Sequence, residues 1–161
     1  MATQKLKPRL FSLIPRAMKI EAVSGDETLI RSDEFHYMRP SFRNNHRMGP
    51  VEKTDEVRVL GIELLAPATF REMFEPLAGD VTTLAFTENQ IVNFVRRERA
   101  WMGRNGTTYF LFRYNKGIVV AVIFAIPSMT SYGVDVHALD DPTVWNHPSF
   151  KNCVVVPRIN R

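Results

Sequence analysis

The chain has 161 residues, of which 45% are apolar and 24% charged, and a formal charge of +4. That size and balance describe one globular domain with a single core, with room for an arm, and disorder is not the default. The single cysteine, Cys153, excludes a disulfide or thiolate metal cage within the chain and points to a reducing, cytoplasmic setting. No apolar run approaches the roughly 20 residues of a membrane span, so no membrane partner is expected.

Residues 1 to 54 lack sustained periodicity and are expected to form a basic N-terminal arm or small hairpin. Lys5, Lys7, Arg9, Arg16 and Lys19 precede the first acid, Glu21. Short strands are expected at Lys19 to Val23 and Thr28 to Ile30, with Ser24 to Glu27 turning between them. Removing residues 1 to 19 is expected to leave the fold intact. After Phe35 and Tyr37 comes a cluster of Arg39, Arg43, His46 and Arg47 around Phe42. Cations interleaved with aromatics suit phosphate or single-stranded nucleic acid, and equally suit a solvated loop with an aromatic tucked onto the core.

From residue 55 to 161 the pattern is that of an α/β domain. Glu56 to Leu65 alternates as a strand, with Val57, Val59 and Gly61 on one face and Arg58, Leu60, Ile62 and Leu64 on the other. Pro67 opens a helix whose Phe70, Met73, Phe74 and Leu77 recur at helical spacing. Thr87 with Gln90 three residues later reads as a capping box, and Ile91, Phe94 and Val95 form the buried stripe behind it. The basic residues Arg96, Arg97, Arg99 and Arg104 gather at the far end, where cations favour the helix dipole.

Tyr109 to Tyr114 and Ile118 to Ile126 flank Asn115-Lys116-Gly117, a hairpin in which Gly117 is expected to take the positive φ. The second run is apolar on both of its faces, so it belongs inside a sheet covered by helices. Gly133 to Leu139 adds a strand, and Cys153 to Val156 forms the last apolar one. The expected fold class is α/β (α+β), a mixed and mainly antiparallel sheet with two helices packed on it.

No Gly-rich nucleotide loop or G-x-S-x-G motif is present, and the four histidines lack metal-pair spacing. Asp135 and His137 stand two apart on one strand face, close to Asp140 and Asp141. That grouping suits an acid–base pair or, as readily, a solvent-facing strand edge.

The strand at Val57 to Leu65, the paired helices, the hairpin YFLFRYNKGIVVAVIF and the ending CVVVPRINR together resemble the first half of the GNAT-type N-acetyltransferase superfamily. Within it, Gly117-Ile118-Val119-Val120-Ala121 is similar to the family's hairpin, and Val155-Val156-Pro157-Arg158 to the start of its V-x-P-x-x-R signature. The phrase HPSFKN at His147 to Asn152 looks like phage-borne members. The resemblance implies an acyl-CoA-dependent N-acyltransferase acting on a small-molecule or protein amine. It implies acetyl-CoA held by the backbone of Val154, Val155 and Val156, with Asp135 or His137 as the nearby base. The family's Gly-rich pyrophosphate turn would follow Arg161, so either the chain continues or acetyl-CoA is not held in the family's manner.

A different reading makes the chain a small basic nucleic-acid-binding or assembly protein that docks through Arg39, Arg43, His46 and Arg47. Self-association through an exposed last strand is a further expectation.

Overall fold

The structure is a computed structural model that describes residues 10–46, 52–102, 106–126, 131–145 and 151–159. Its centre is one mixed, mainly antiparallel sheet of eight strands. In chain order these are β1 (Phe11–Leu13), β2 (Met18–Ile20), β3 (Phe35–Met38), β4 (Val57–Leu64), β5 (Thr107–Tyr114), β6 (Gly117–Ile126), β7 (Ser131–Ala138) and β8 (Asn152–Pro157). The helices are α1 (Pro40–Asn45), α2 (Phe70–Phe74), α3 (Glu88–Arg97) and α4 (Arg99–Met102). Across the sheet the order is β1-β4-β8-β5-β6-β7-β3, with β2 continuing the β1 edge of β4. No helix among the described residues is long and apolar enough to cross a membrane.

Alternation along the strands divides the core into two layers. Phe110, Phe112, Ala121, Ile123 and Val155 pack with Ile91, Phe94 and Val95 of α3. Tyr109, Leu111, Val120, Val122, Val154 and Val156 pack with Phe70, Met73 and Phe74 of α2. Each helix therefore covers one face, as the doubly apolar β6 requires. Both helices start as their sequences dictate: Thr87 and Gln90 satisfy each other's backbone N–H groups at 2.9 and 3.2 Å, and Thr69 and Glu72 do the same for α2. The α2 stripe ends in a tighter 3-10 turn at Glu75–Leu77, where Pro76 lacks the N–H that an α-helix would use.

Several expectations are corrected. The β5–β6 turn is a two-residue loop because Tyr114 pairs with Gly117. Asn115 (φ 47°) and Lys116 (φ 62°) take the left-handed conformation instead of Gly117. Asn tolerates that region, whereas Lys is strained there by about 1 kcal/mol.

The N-terminal segment also departs from the expected arm. From residue 10 onward it supplies β1 and β2 at one edge of the sheet and β3 at the other. Met18 and Ile20 are buried in the core, so the first nineteen residues cannot be removed without stripping core contacts. The strand expected at Lys19 to Val23 is β2, and Thr28 to Ile30 is a turn rather than a strand. A Cβ on Gly61 would stand 2.9 Å from Met18 Cε, so this segment closes onto β4 over a glycine.

Finally, β8 is no edge available to a second copy. It pairs antiparallel with β4 over five residue pairs and parallel with β5 from Thr107↔Asn152 to Tyr109↔Val154. A strand flanked on both sides is not a sheet edge open along its length to a second copy.

Candidate functional site

The structure places the residues singled out in the sequence in three separate places. Asp135 and His137 lie on β7, with His137 Nε2 3.1 Å from Asp135 Oδ2. The other ring nitrogen, Nδ1, is 3.2 Å from Asp141 Oδ2. The expected pair is thus a triad with the imidazole between two carboxylates. Both ring nitrogens therefore stand within hydrogen-bond distance of a carboxylate oxygen.

The surroundings enclose that ring. The His137 side chain is 7% exposed, and its ring packs 5.6 Å from Phe70 and 5.0 Å from Trp145. Arg39 Nε lies 3.0 Å from Asp135 Oδ1, an ion-pair contact outside hydrogen-bond geometry. Thr143 donates to Asp141 Oδ1 from its backbone N–H (2.9 Å) and its hydroxyl (2.6 Å). Those two bonds, with His137 adding a smaller effect, hold the Asp141 carboxyl below its ordinary range. The cluster ties β7 to the following turn and to the start of α1. No group of three or more His, Cys, Asp or Glu among the described residues is arranged to hold a metal ion.

The basic cluster expected for phosphate is not assembled. Arg39 is committed to Asp135. His46 is 6% exposed and sits 3.0 and 3.1 Å from the two Glu88 oxygens, beneath Phe42 and Tyr114. Arg43 is exposed, and Arg47 lies outside the described residues. Elsewhere the arginines that crowd the end of α3 are also paired: Arg96 with Glu27 and Glu34, Arg97 with Glu21, and Arg99 with Glu34.

Val154, Val155 and Val156 lie at the heart of the sheet, each almost fully buried. What the sequence does not reveal is the fork beside them. The β5–β8 pairing stops at Tyr109↔Val154, and beyond that point Phe86 takes up the β5 edge. Phe86 N–H donates to Leu111 O at 2.8 Å, and Arg113 N–H donates to Phe86 O at 2.9 Å. On the α2 face, next to the diverging end of β8, is a cavity of about 420 Å³. Leu60, Ile62, Leu77, Leu84 and Val156 wall it with aliphatic carbon. Among the described residues Asp80 is the only acidic one lining it, and its carboxylate is turned onto the Thr82 N–H (3.0 Å) and hydroxyl (2.7 Å). His137 is not in this place, because β7 stands three strands from β8, about 14 Å at the usual strand spacing.

The larger cavity, about 850 Å³, lies around the strained turn at the end of β5. Its charges come largely in pairs, Arg113 with Glu52 and Arg71 with Asp140. The slot beside β8 is the better-defined ligand space, since its wall is mainly aliphatic.

No protein-family model, curated protein or solved structure matches the chain.

Proposed function

We propose that this chain is an acyl-CoA-binding domain of N-acyltransferase type, holding the acyl thioester arm along β8 at the fork. The observation that carries the reading is the parting of the parallel strands β5 and β8 after Val154, beside an aliphatic cavity walled by Val156. A thioester arm needs an apolar channel along an incompletely paired strand, and this is where the resemblance of CVVVPRINR places acetyl-CoA. The acceptor would be an amine, but its deprotonation is not assigned to Asp135 or His137. Both nitrogens of that imidazole face carboxylates, and the ring lies about three strand spacings away.

Calorimetric titration of acetyl-CoA and of free CoA tests the reading. Saturable acetyl-CoA binding that persists in high salt and is lost in Ala78→Trp, which fills the slot from its half-buried wall, supports it. An absence of saturable binding, or binding indifferent to Ala78→Trp, overturns it.

A further inference from the structure

The sheet that carries the slot also carries three cations side by side. Arg158 N–H donates to Arg58 O at 2.8 Å, which extends the β4–β8 register by one pair beyond Val59↔Pro157. Arg58 and Arg158 are therefore directly opposite each other. Because strand side chains alternate, Arg58 stands on the face of Leu60, which with its cross-strand partner Val156 walls the slot, and Arg158 follows the end of β8 opposite Arg58. On the other side of Arg58 its register partner is Lys19 of β2. Met18 and Ile20 belong to the α3 layer, so Lys19 stands on the slot face too.

Like charges directly opposite on a sheet repel, with Cβ atoms on the order of 5 Å apart. Seven of the described arginines meet carboxylates, whereas Arg58 and Arg158, like Arg31 and Arg43, have no ion-pair or hydrogen-bonded side-chain partner among the described residues. Only Lys19 is neutralised, by Glu56 at 3.1 Å between two half-exposed side chains. The arginine pair lies one cross-strand row from Leu60 and Val156, about 7 Å along the strands. Pro157 and Ile159, which flank Arg158, line the cavity at that end. The aliphatic slot of about 420 Å³ thus lies one row along the sheet from two cations that lack counter-charges, neither of which lines it.

We propose that the slot and the arginine pair bind a single-chain amphiphile with an anionic head. The alkyl chain runs along Leu60, Ile62 and Val156, and the carboxylate or phosphate bridges Arg58 and Arg158. The planar guanidinium fork suits either head, and a shared anion removes the repulsion between the two arginines. The inference uses the same slot as the acyl-CoA reading but not its premise, because a free alkyl acid or alkyl phosphate needs no thioester and no CoA.

The test titrates the full chain with decanoate, decyl phosphate, decanol and inorganic phosphate, each below its micelle concentration, with acetyl-CoA run separately. The expected result is saturable binding of decanoate or decyl phosphate, weakened about tenfold in Arg58→Gln and in Arg158→Gln. Decanol and inorganic phosphate should each bind far more weakly than the compound that joins chain and charge. Whichever of the two acids binds tighter identifies the head group. Both arginines are exposed, so the variants should keep the wild-type thermal transition.

Three results would overturn the proposal: decanol binding as tightly as the acids, inorganic phosphate binding as tightly as decyl phosphate, or no binding of either acid. Acetyl-CoA binding without decanoate or decyl phosphate binding removes this inference and leaves the acyl-CoA reading standing, and the reverse pattern does the opposite.

Discussion

The two charge clusters of the sheet differ in a way that separates scaffold from ligand site. On β7, His137 lies between Asp135 and Asp141, and Arg39 stands against Asp135, so the charges meet one another. On β4 and β8, Arg58 and Arg158 face each other without a carboxylate among the described residues. The first cluster is dense in sequence and internally satisfied, so its chemistry is spent on holding β7, the turn at Asp141 and α1 together. The second joins residues a hundred positions apart and leaves charge unspent near an aliphatic cavity. Proximity in sequence therefore marked the cluster with the least chemistry to offer a ligand.

Replacing His137 with Ala should give the largest effect on this comparison. It leaves two carboxylates, each about a quarter exposed, without the imidazole between them, and opens space beside Phe70 and Trp145. Denaturant unfolding should show a loss of about 3 kcal/mol. A loss below about 0.5 kcal/mol would mean that the cluster is not structural and is free to do other work.

The next effect lies at the other end of β8. Burial pushes the Cys153 thiol up to about 11, so the folded state holds that proton more tightly than the unfolded chain, whose thiols titrate near 8.5. The resulting stability is fully present below about pH 8.5 and is lost as pH rises toward 11, an effect of about 3 kcal/mol at most. Thermal unfolding as a function of pH should show this alkaline decline, and Cys153→Ala should flatten it.

Lys116→Gly relieves the strained turn and should stabilise by about 1 kcal/mol. Unchanged unfolding would indicate that the Lys116 side chain makes up the strain through contacts at the larger cavity. Smallest of all is Arg58→Gln. Truncating an arginine usually costs a partner its charge, but here it should leave stability unchanged or raise it by about 0.5 kcal/mol, because it removes a like-charge pair. A clear destabilisation would show that the arginine pair is already compensated, and the contrast between the clusters would fail.

Much of the fold was legible in the sequence. The capping residues Thr87 and Gln90 place α3, the unbroken run Ile118 to Ile126 requires an interior strand with cover on both faces, and the alternation in Val57 to Leu64 assigns its two faces. These features depend on neighbours a few residues away, within reach of local hydrogen bonds and side-chain periodicity. Asp135 and His137 were legible for the same reason, since a spacing of two puts them on one strand face. Asp141 as the second carboxylate was visible only as a nearby acid.

The ligand site carried a faint trace. Arg58 interrupts an otherwise apolar strand face with Leu60, Ile62 and Leu64, a placement that asks what the charge is for. Nothing local answers, because its partners come from β2 and from the end of the chain.

The sequence by itself determined the two-layer core, the helix starts and the central hairpin, because each follows from short-range patterning. Only the tertiary structure decided that β8 inserts between β4 and β5, that the N-terminal segment closes both edges of the sheet, and that Arg58 and Arg158 stand opposite each other. Those outcomes depend on which distant strands pair and in what register, and a register between strands nearly a hundred residues apart is chosen by the packing of the whole core.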